Sequence, residues 1–198
     1  MNSTARNTQL HDHGALRASL AFALVILFGM GLLYSLTGTA IGRSLFPQQA
    51  TGSIVTHNGK AVGSSLIAQP FADARYFQPR PSAAGYNPMS AAGSNQARTN
   101  PDLRKRIAEI TAAVAARDSI AVQDVPGELV TQSGSGLDPD LSPAGAQVQI
   151  ARVAQARNRD PRRVAELVAV HTQGPQFGFL GQPRVNVLAL NLALDAMH

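Results

Sequence analysis

Cysteine and tryptophan are absent from the 198 residues, and lysine occurs only as Lys60 and Lys105. Without cysteine there is no disulfide, no thiolate nucleophile and no Cys-ligated zinc or iron–sulfur site. The missing thiols leave the compartment open, because a cysteine-free domain is at ease on either side of a membrane. Without tryptophan, Tyr34 and Phe46 are the aromatics left to mark a membrane interface. Charge is sparse too: charged residues make up 15% of the chain, and the formal +5 is carried almost wholly by arginine. Nucleic-acid binders gather Lys and Arg on one face to displace counterions. Here the arginines are scattered and often stand near an acid, as in Arg157, Arg159, Asp160, Arg162 and Arg163. That pattern reads as a solvated surface, with no nucleic-acid partner.

The motifs of common chemistries are missing as well. The histidines, His11, His13, His57, His171 and His198, show no HExxH spacing that would set two metal ligands on one helical face. No GxxxxGK[ST] loop is present to cradle a triphosphate. Ser135 lies in a Gly-Ser-Gly context without the GxSxG arrangement, so a flexible turn is the expectation. Asp138 and Asp140 resemble a carboxylate pair for acid–base work, but the proline between them points to turn or capping duty. No catalytic residue and no metal are predicted.

What is present begins with a long apolar run. Residues 18–42 carry no charge, and Leu20 to Leu36 reads LAFALVILFGMGLLYSL. About 20 apolar residues cross about 30 Å of hydrocarbon as a helix, the fold that satisfies its own backbone there. Arg17 and Arg43 close the run, where long side chains reach headgroups. Gly29 and Gly31 suit close approach of a neighbouring helix in lipid. Two other readings stand beside the anchor. One is a signal peptide cleaved near Gly38, Thr39 and Ala40, against which the length of the run argues. The other is a soluble core helix, against which the all-round apolar surface argues. The chain therefore divides into a tail (1–17), a transmembrane helix (18–42) and one domain (43–198). Arg6, Arg17 and the amino group against Asp12 favour a cytoplasmic tail and an external domain.

Within the domain, β-branched residues flank Asn58-Gly59, a hairpin signal. Gln69 to Pro101 is rich in Pro, Gly, Ser and Asn, yet holds Phe71, Tyr76, Phe77 and Tyr86, so a functional ordered loop is expected there. Asn100-Pro101, Ser142-Pro143 and Asp160-Pro161 each pair an N-cap with a proline at the first helical position. They predict helices to about Arg117, to about Asn158 and to about Thr172. Leu103, Ile107, Ile110 and Val114 form the apolar stripe of the first; Val148, Val153 and Ala156 that of the second; Val164, Leu167, Val168 and His171 that of the third. Val185 to Leu188 reads as a strand and Ala189 onward as helical. The fold class is α+β: one transmembrane helix, then a compact domain with a short hairpin or sheet and about three to four helices.

Several segments also carry a family likeness. Arg75-Tyr76-Phe77, Arg80-Pro81-Ser82, Gly85-Tyr86-Asn87-Pro88, Gly93-Ser94-Asn95 and Asn100-Pro101-Asp102-Leu103 occur in order. A second block runs through Ser133, Gly134, Ser135, Gly136, Leu137, Asp138 and Pro139, then Ser142-Pro143-Ala144, Gln147 and Arg152-Val153-Ala154. A third holds Leu180-Gly181, Pro183-Arg184-Val185-Asn186-Val187-Leu188 and Leu190-Asn191, with Gln182 where an acid is expected. Together with the apolar run, these resemble the C-subunit family of the Kdp potassium-pumping P-type ATPases over nearly the entire chain.

The resemblance implies a non-catalytic accessory subunit of a high-affinity ATP-driven potassium uptake pump. It would be single-pass in the bacterial inner membrane, beside a channel-like subunit that conducts the ion and a P-type subunit that hydrolyses ATP. Two roles are implied. In one the chain stabilises the complex and is a catalytic chaperone raising ATP affinity, with ATP engaged only in the complex and Gln147 the candidate contact. In the other it is an outer-face element gating ion entry. The segment Leu141 to Gln147 echoes the LSGGQ signature of ABC transporters, but an N-cap at Ser142 explains the same residues. Alternatives from other classes are an anchored extracytoplasmic enzyme using Asp138 or Ser135, and nucleic-acid binding through Arg104, Lys105, Arg106 and Arg157 to Arg163.

Overall fold

A computed structural model describes residues 14–197, in two units that divide between Gly52 and Ser53. Of the tail, Arg6, His11, Asp12 and His13 lie outside the described residues, as does His198. The first unit is a helix, α1 (Ala15–Leu45), of 31 residues with π-helical turns over Leu27–Tyr34, followed by one short turn of helix, α2 (Pro47–Ala50). At about 1.5 Å per residue α1 is longer than a bilayer's hydrocarbon. It contains the whole uncharged run and extends beyond it at both ends, so Arg17 sits in its first turn and Arg43 in its last. By length and composition α1 can cross a membrane, and none of its side chains is buried.

The second unit opens with a hairpin, β1 (Ile54–His57) against β2 (Lys60–Ser64), antiparallel. Asn58 and Gly59 hold φ of 49° and 74°, as a two-residue primed turn demands, which is why Asn-Gly was the legible signal. Beyond a long irregular stretch lies α3 (Pro101–Asp118), where the Asn100 side chain accepts from the Asp102 N–H. Its stripe faces inward as the spacing predicts, but Val114 alone of the four is buried, while Leu103, Ile107 and Ile110 are half-exposed.

Next come β3 (Asp140–Leu141), α4 (Pro143–Gln147), α5 (Ile150–Ala156), α6 (Pro161–Val170), β4 (Thr172–Gln173), β5 (Arg184–Asn186) and α7 (Val187–Asp195). The three short strands form one antiparallel sheet in the order β3-β5-β4, with Leu141 and Thr172 on either side of Val185. The mixed α+β class predicted from the sequence is thus the one observed.

The helix predicted from Ser142-Pro143 to about Asn158 is two helices, and a side chain is the reason. The buried Gln149 donates its Nε2 to the Gly145 carbonyl (3.1 Å), the acceptor its own backbone N–H would use in a continuous α-helix. That N–H instead closes a tighter turn on Ala146 (3.0 Å). The break rotates the second half, so Ile150, Val153 and Ala154 are buried and Ala156, expected on the inner face, is exposed. At the C-terminus the helix begins two residues before Ala189, because Asn186 caps it by accepting from the Ala189 N–H (3.1 Å).

The core joins these pieces. Phe77, Leu141, Val153, Val164, Val185 and Leu190 are each exposed by 1% or less. Phe77 comes from the irregular stretch, so its backbone enters the core without a strand to pair with. Two buried carboxamides complete it. Asn191 of α7 accepts from the Phe77 N–H (2.8 Å) and donates to its carbonyl (2.9 Å). Gln149 does the same for Gln78, accepting from N–H (2.9 Å) and donating to the carbonyl (3.1 Å). Each amide imitates one rung of a β-ladder.

Replacing Gln149 or Asn191 with Leu removes the carboxamide and orphans the N–H and C=O it serves; Gln149→Leu also strips the Gly145 carbonyl and Arg152 of a partner. Each substitution is expected to cost about 2–4 kcal/mol in urea unfolding. A loss under about 0.5 kcal/mol would contradict this account.

Candidate functional site

The segments that carry the family likeness lie far apart in sequence and meet in space. The run Ser133 to Pro139 folds against Arg80-Pro81-Ser82. The Pro81 carbonyl accepts from the Ser133 N–H (3.3 Å), and the Ser82 hydroxyl donates to the Gly136 carbonyl (2.5 Å) while accepting from the N–H groups of Ala84 and Tyr86. Arg80 Nη1 pairs with Asp138 Oδ2 at 2.8 Å, and the Tyr86 hydroxyl donates to the Arg80 carbonyl (3.0 Å). Gly93 lies under the Gly134 backbone, where an added Cβ would come within 3.0 Å of the Gly134 oxygen. Ser94 beside it is half-buried, and Asn95 is exposed with φ of 50°. At Gly136 φ is +70°, and a Cβ there would sit 2.7 Å from the Ala92 oxygen. Leu137 and Pro139 use their carbonyls to hold the Ala68 and Val187 N–H groups.

The reactive side chains of this layer are occupied by building it. Asp138 keeps Oδ1 for the Asp140 N–H (3.2 Å), a turn contact, besides its pair with Arg80. Asp140 accepts from Asn186 (3.1 Å) and lies 3.3 Å from Arg184. The exposed Ser135 accepts from the Leu137 N–H (3.1 Å), an ST-turn. Among the described residues, no group of His, Asp and Glu is placed to hold a metal ion. Gln147 is exposed at the end of α4, whose N-terminus is capped by Ser142 (3.1 Å to the Gly145 N–H) with Glu128 bound to Ser142. Arg17 and Arg43 belong to α1, in the first unit.

A second set of polar residues was not legible as a site. Asp118 is fully buried between Arg117 (2.6 Å) and Arg152 (2.7 Å). Arg152 also donates to the carbonyl of Tyr76 (3.0 Å) and to Gln149 Oε1 (2.7 Å). Arg157 bonds the Arg75 carbonyl and Asp195 (2.7 Å each) and lies 4.8 Å over the Tyr76 ring. The expectation of a solvated arginine surface therefore fails at Arg157, whose side chain is 15% exposed, because the irregular stretch needs donors for its carbonyls. The signal was present in the sequence: Gln149 lies between Val148 and Ile150, four residues before Val153, a polar residue on a buried face.

Ionisations are displaced at the edges of this region. Burial pushes the Tyr86 phenol up, partly offset by the Arg117 charge. A hydrogen bond from Arg75 holds the exposed Asp73 below the usual carboxylate range.

Gly136→Ala forces both strain and overlap, and is expected to cost about 2–4 kcal/mol, whereas Ser135→Ala is expected to stay within about 0.5 kcal/mol. Thermal or urea unfolding of the two variants side by side checks this; equal stabilities would show that the layer is not the tight structural unit described.

Comparison with known proteins gives the family. The family model for KdpC, the c chain of the K+-transporting ATPase, matches residues 16–196. A "Potassium-transporting ATPase KdpC subunit" of Xanthomonas campestris pv. campestris (strain B100) is 65% identical over 186 residues, covering 94% of this chain and 89% of that protein. The protein of the same name from Shewanella putrefaciens is 48% identical over 196 residues, covering 98% and 96%. That from Geobacter metallireducens is 46% identical over 186 residues, covering 92% and 97%. Matched almost end to end, the loop layer included, this chain belongs to the KdpC family, the c chains of potassium-transporting ATPases.

Proposed function

We propose that this chain is a non-catalytic accessory subunit that stabilises an assembled ATP-driven potassium pump and raises the ATP affinity of its P-type catalytic subunit. The observation that carries the non-catalytic half is the bonding of the loop layer: Arg80, Ser135, Asp138 and Asp140 are all engaged in turns and pairs that shape it. An enzyme built on Asp138 or Ser135 would need one of them facing a base or a second free carboxylate.

In this reading α1 is the single-pass anchor in a bacterial inner membrane, with the tail cytoplasmic and the domain outside. The partners are the bilayer, the channel-like potassium-translocating subunit and the P-type catalytic subunit. The chain binds no ATP alone. An external domain cannot touch cytoplasmic nucleotide, so Gln147, exposed on the domain surface, is no direct ATP ligand. The ATP effect travels by linkage: a subunit that binds one pump conformation better than another shifts the affinity of every ligand that prefers that conformation.

Measuring the ATP concentration for half-maximal hydrolysis, with and without this chain in the purified pump, tests the linkage. The value is expected to be lower with the chain present. Equal values would remove the chaperone role and leave an outer-face assembly or gating element. Sidedness is testable because the chain has no cysteine. Ser135→Cys puts one thiol on an exposed turn, and a membrane-impermeant maleimide is expected to label it from the outer face of intact spheroplasts. Labelling only after the membrane is opened would reverse the orientation.

A further inference from the structure

Between β4 and β5 the chain makes a turn whose tip is apolar and points away from the core. Phe177 is 79% exposed, Phe179 76% and Leu180 49%. From Gly174 to Pro183 no residue is charged. The turn is well built: Gln176 and Leu180 exchange backbone hydrogen bonds (2.8 and 2.9 Å), and Gly178 donates to the Pro175 carbonyl (3.1 Å). Phe177 holds a φ of 54°, a left-handed conformation that a bulky residue rarely adopts. Backbone strain that keeps an aromatic ring in water is characteristic of binding sites rather than of stable folding. A pre-shaped tip also loses little freedom on docking.

At the base of the tip is a shallow cleft of about 320 Å³ whose walls include Glu128, Asp138, Asp140, Gln182 and Arg184. Arg80 pairs with Asp138 and Arg184 with Asp140, which leaves the Glu128 carboxylate in excess on a chain whose formal charge is +5. An acidic base is repelled by the anionic surface of a bacterial bilayer, which attracts basic groups instead. It is complementary to a protein surface that sets a basic side chain beside an apolar socket.

We infer that the tip Phe177 to Leu180, with the acidic cleft behind it, is the surface by which this domain docks on another subunit of its pump. The inference rests on the subunit reading above. Phe177 and Phe179 fill the apolar socket, and a Lys or Arg of the partner faces the cleft. Buried aromatic anchors of this kind carry most of the affinity in protein interfaces.

The test uses the full-length chain in the pump purified from membranes. Phe177→Ser with Phe179→Ser is expected to speed dissociation of the chain at least tenfold, with an unchanged thermal unfolding profile because both rings are exposed. Phe177→Trp, which keeps the bulk, is expected to remain bound. Retention of the double variant equal to wild type overturns this inference and leaves the subunit reading intact. A wild-type chain that brings down no other pump subunit overturns both. Since the chain has no tryptophan, Phe177→Trp also reports on lipid. In vesicles of phosphatidylethanolamine and phosphatidylglycerol with brominated acyl chains, and with no other subunit present, its fluorescence is expected to stay unquenched. Quenching there would assign the tip to the bilayer and overturn the inference.

Discussion

The domain depends on a solution to one problem: the backbone at Phe77 and Gln78 must pass through the core with no neighbouring strand. A buried N–H or C=O without a partner costs about as much as a lost hydrogen bond, and Phe77 brings two such groups, with the two of the half-buried Gln78 beside them. Asn191, in α7, and Gln149, in the break between α4 and α5, satisfy all four. The consequences spread outward. Gln149 breaks what would otherwise be one long helix, and the break turns Ile150, Val153 and Ala154 onto Phe77 and its neighbours. Arg152, tied to the buried Asp118, and Arg157, tied to Asp195, then take carbonyls of the residues just before Phe77.

This arrangement explains why a domain with strands of five residues or fewer holds long irregular segments in fixed shapes. The loop from Arg80 to Asn95 and the run from Ser133 to Pro139 are bonded to each other as strands would be, but through side chains and single backbone bonds. Close backbone approach at Gly93 and Gly136 replaces the regular spacing of a sheet. A surface assembled in this way is held in shape without being periodic, as the proposed accessory role requires.

Elements coded by local chemistry were legible in the sequence. The Asn58-Gly59 turn and the three cap-proline pairs at Asn100, Ser142 and Asp160 mark where their elements begin, because each needs only its immediate neighbours. The family-bearing segments were legible as pattern, though not as a layer, since nothing local says that Ser82 reaches Gly136. The buried polar group was least legible. Asp118 and Arg157 look like solvated residues at the ends of their own helices, and only the long-range need of the Phe77 segment draws them inward. Leu103, Ile107 and Ile110 show the opposite error: a clean stripe predicts burial, yet the helix stays partly open along it.

The most direct test of this account is native-state hydrogen exchange at the amides of Phe77 and Gln78. If Asn191 and Gln149 hold them as described, both exchange only through global unfolding, with protection equal to that of the α7 core amides, although they lie in an irregular segment. Exchange at the rate of the exposed Asn95 amide in the same segment would mean that the two carboxamides do not fasten this backbone, and the account of the fold would fail with them.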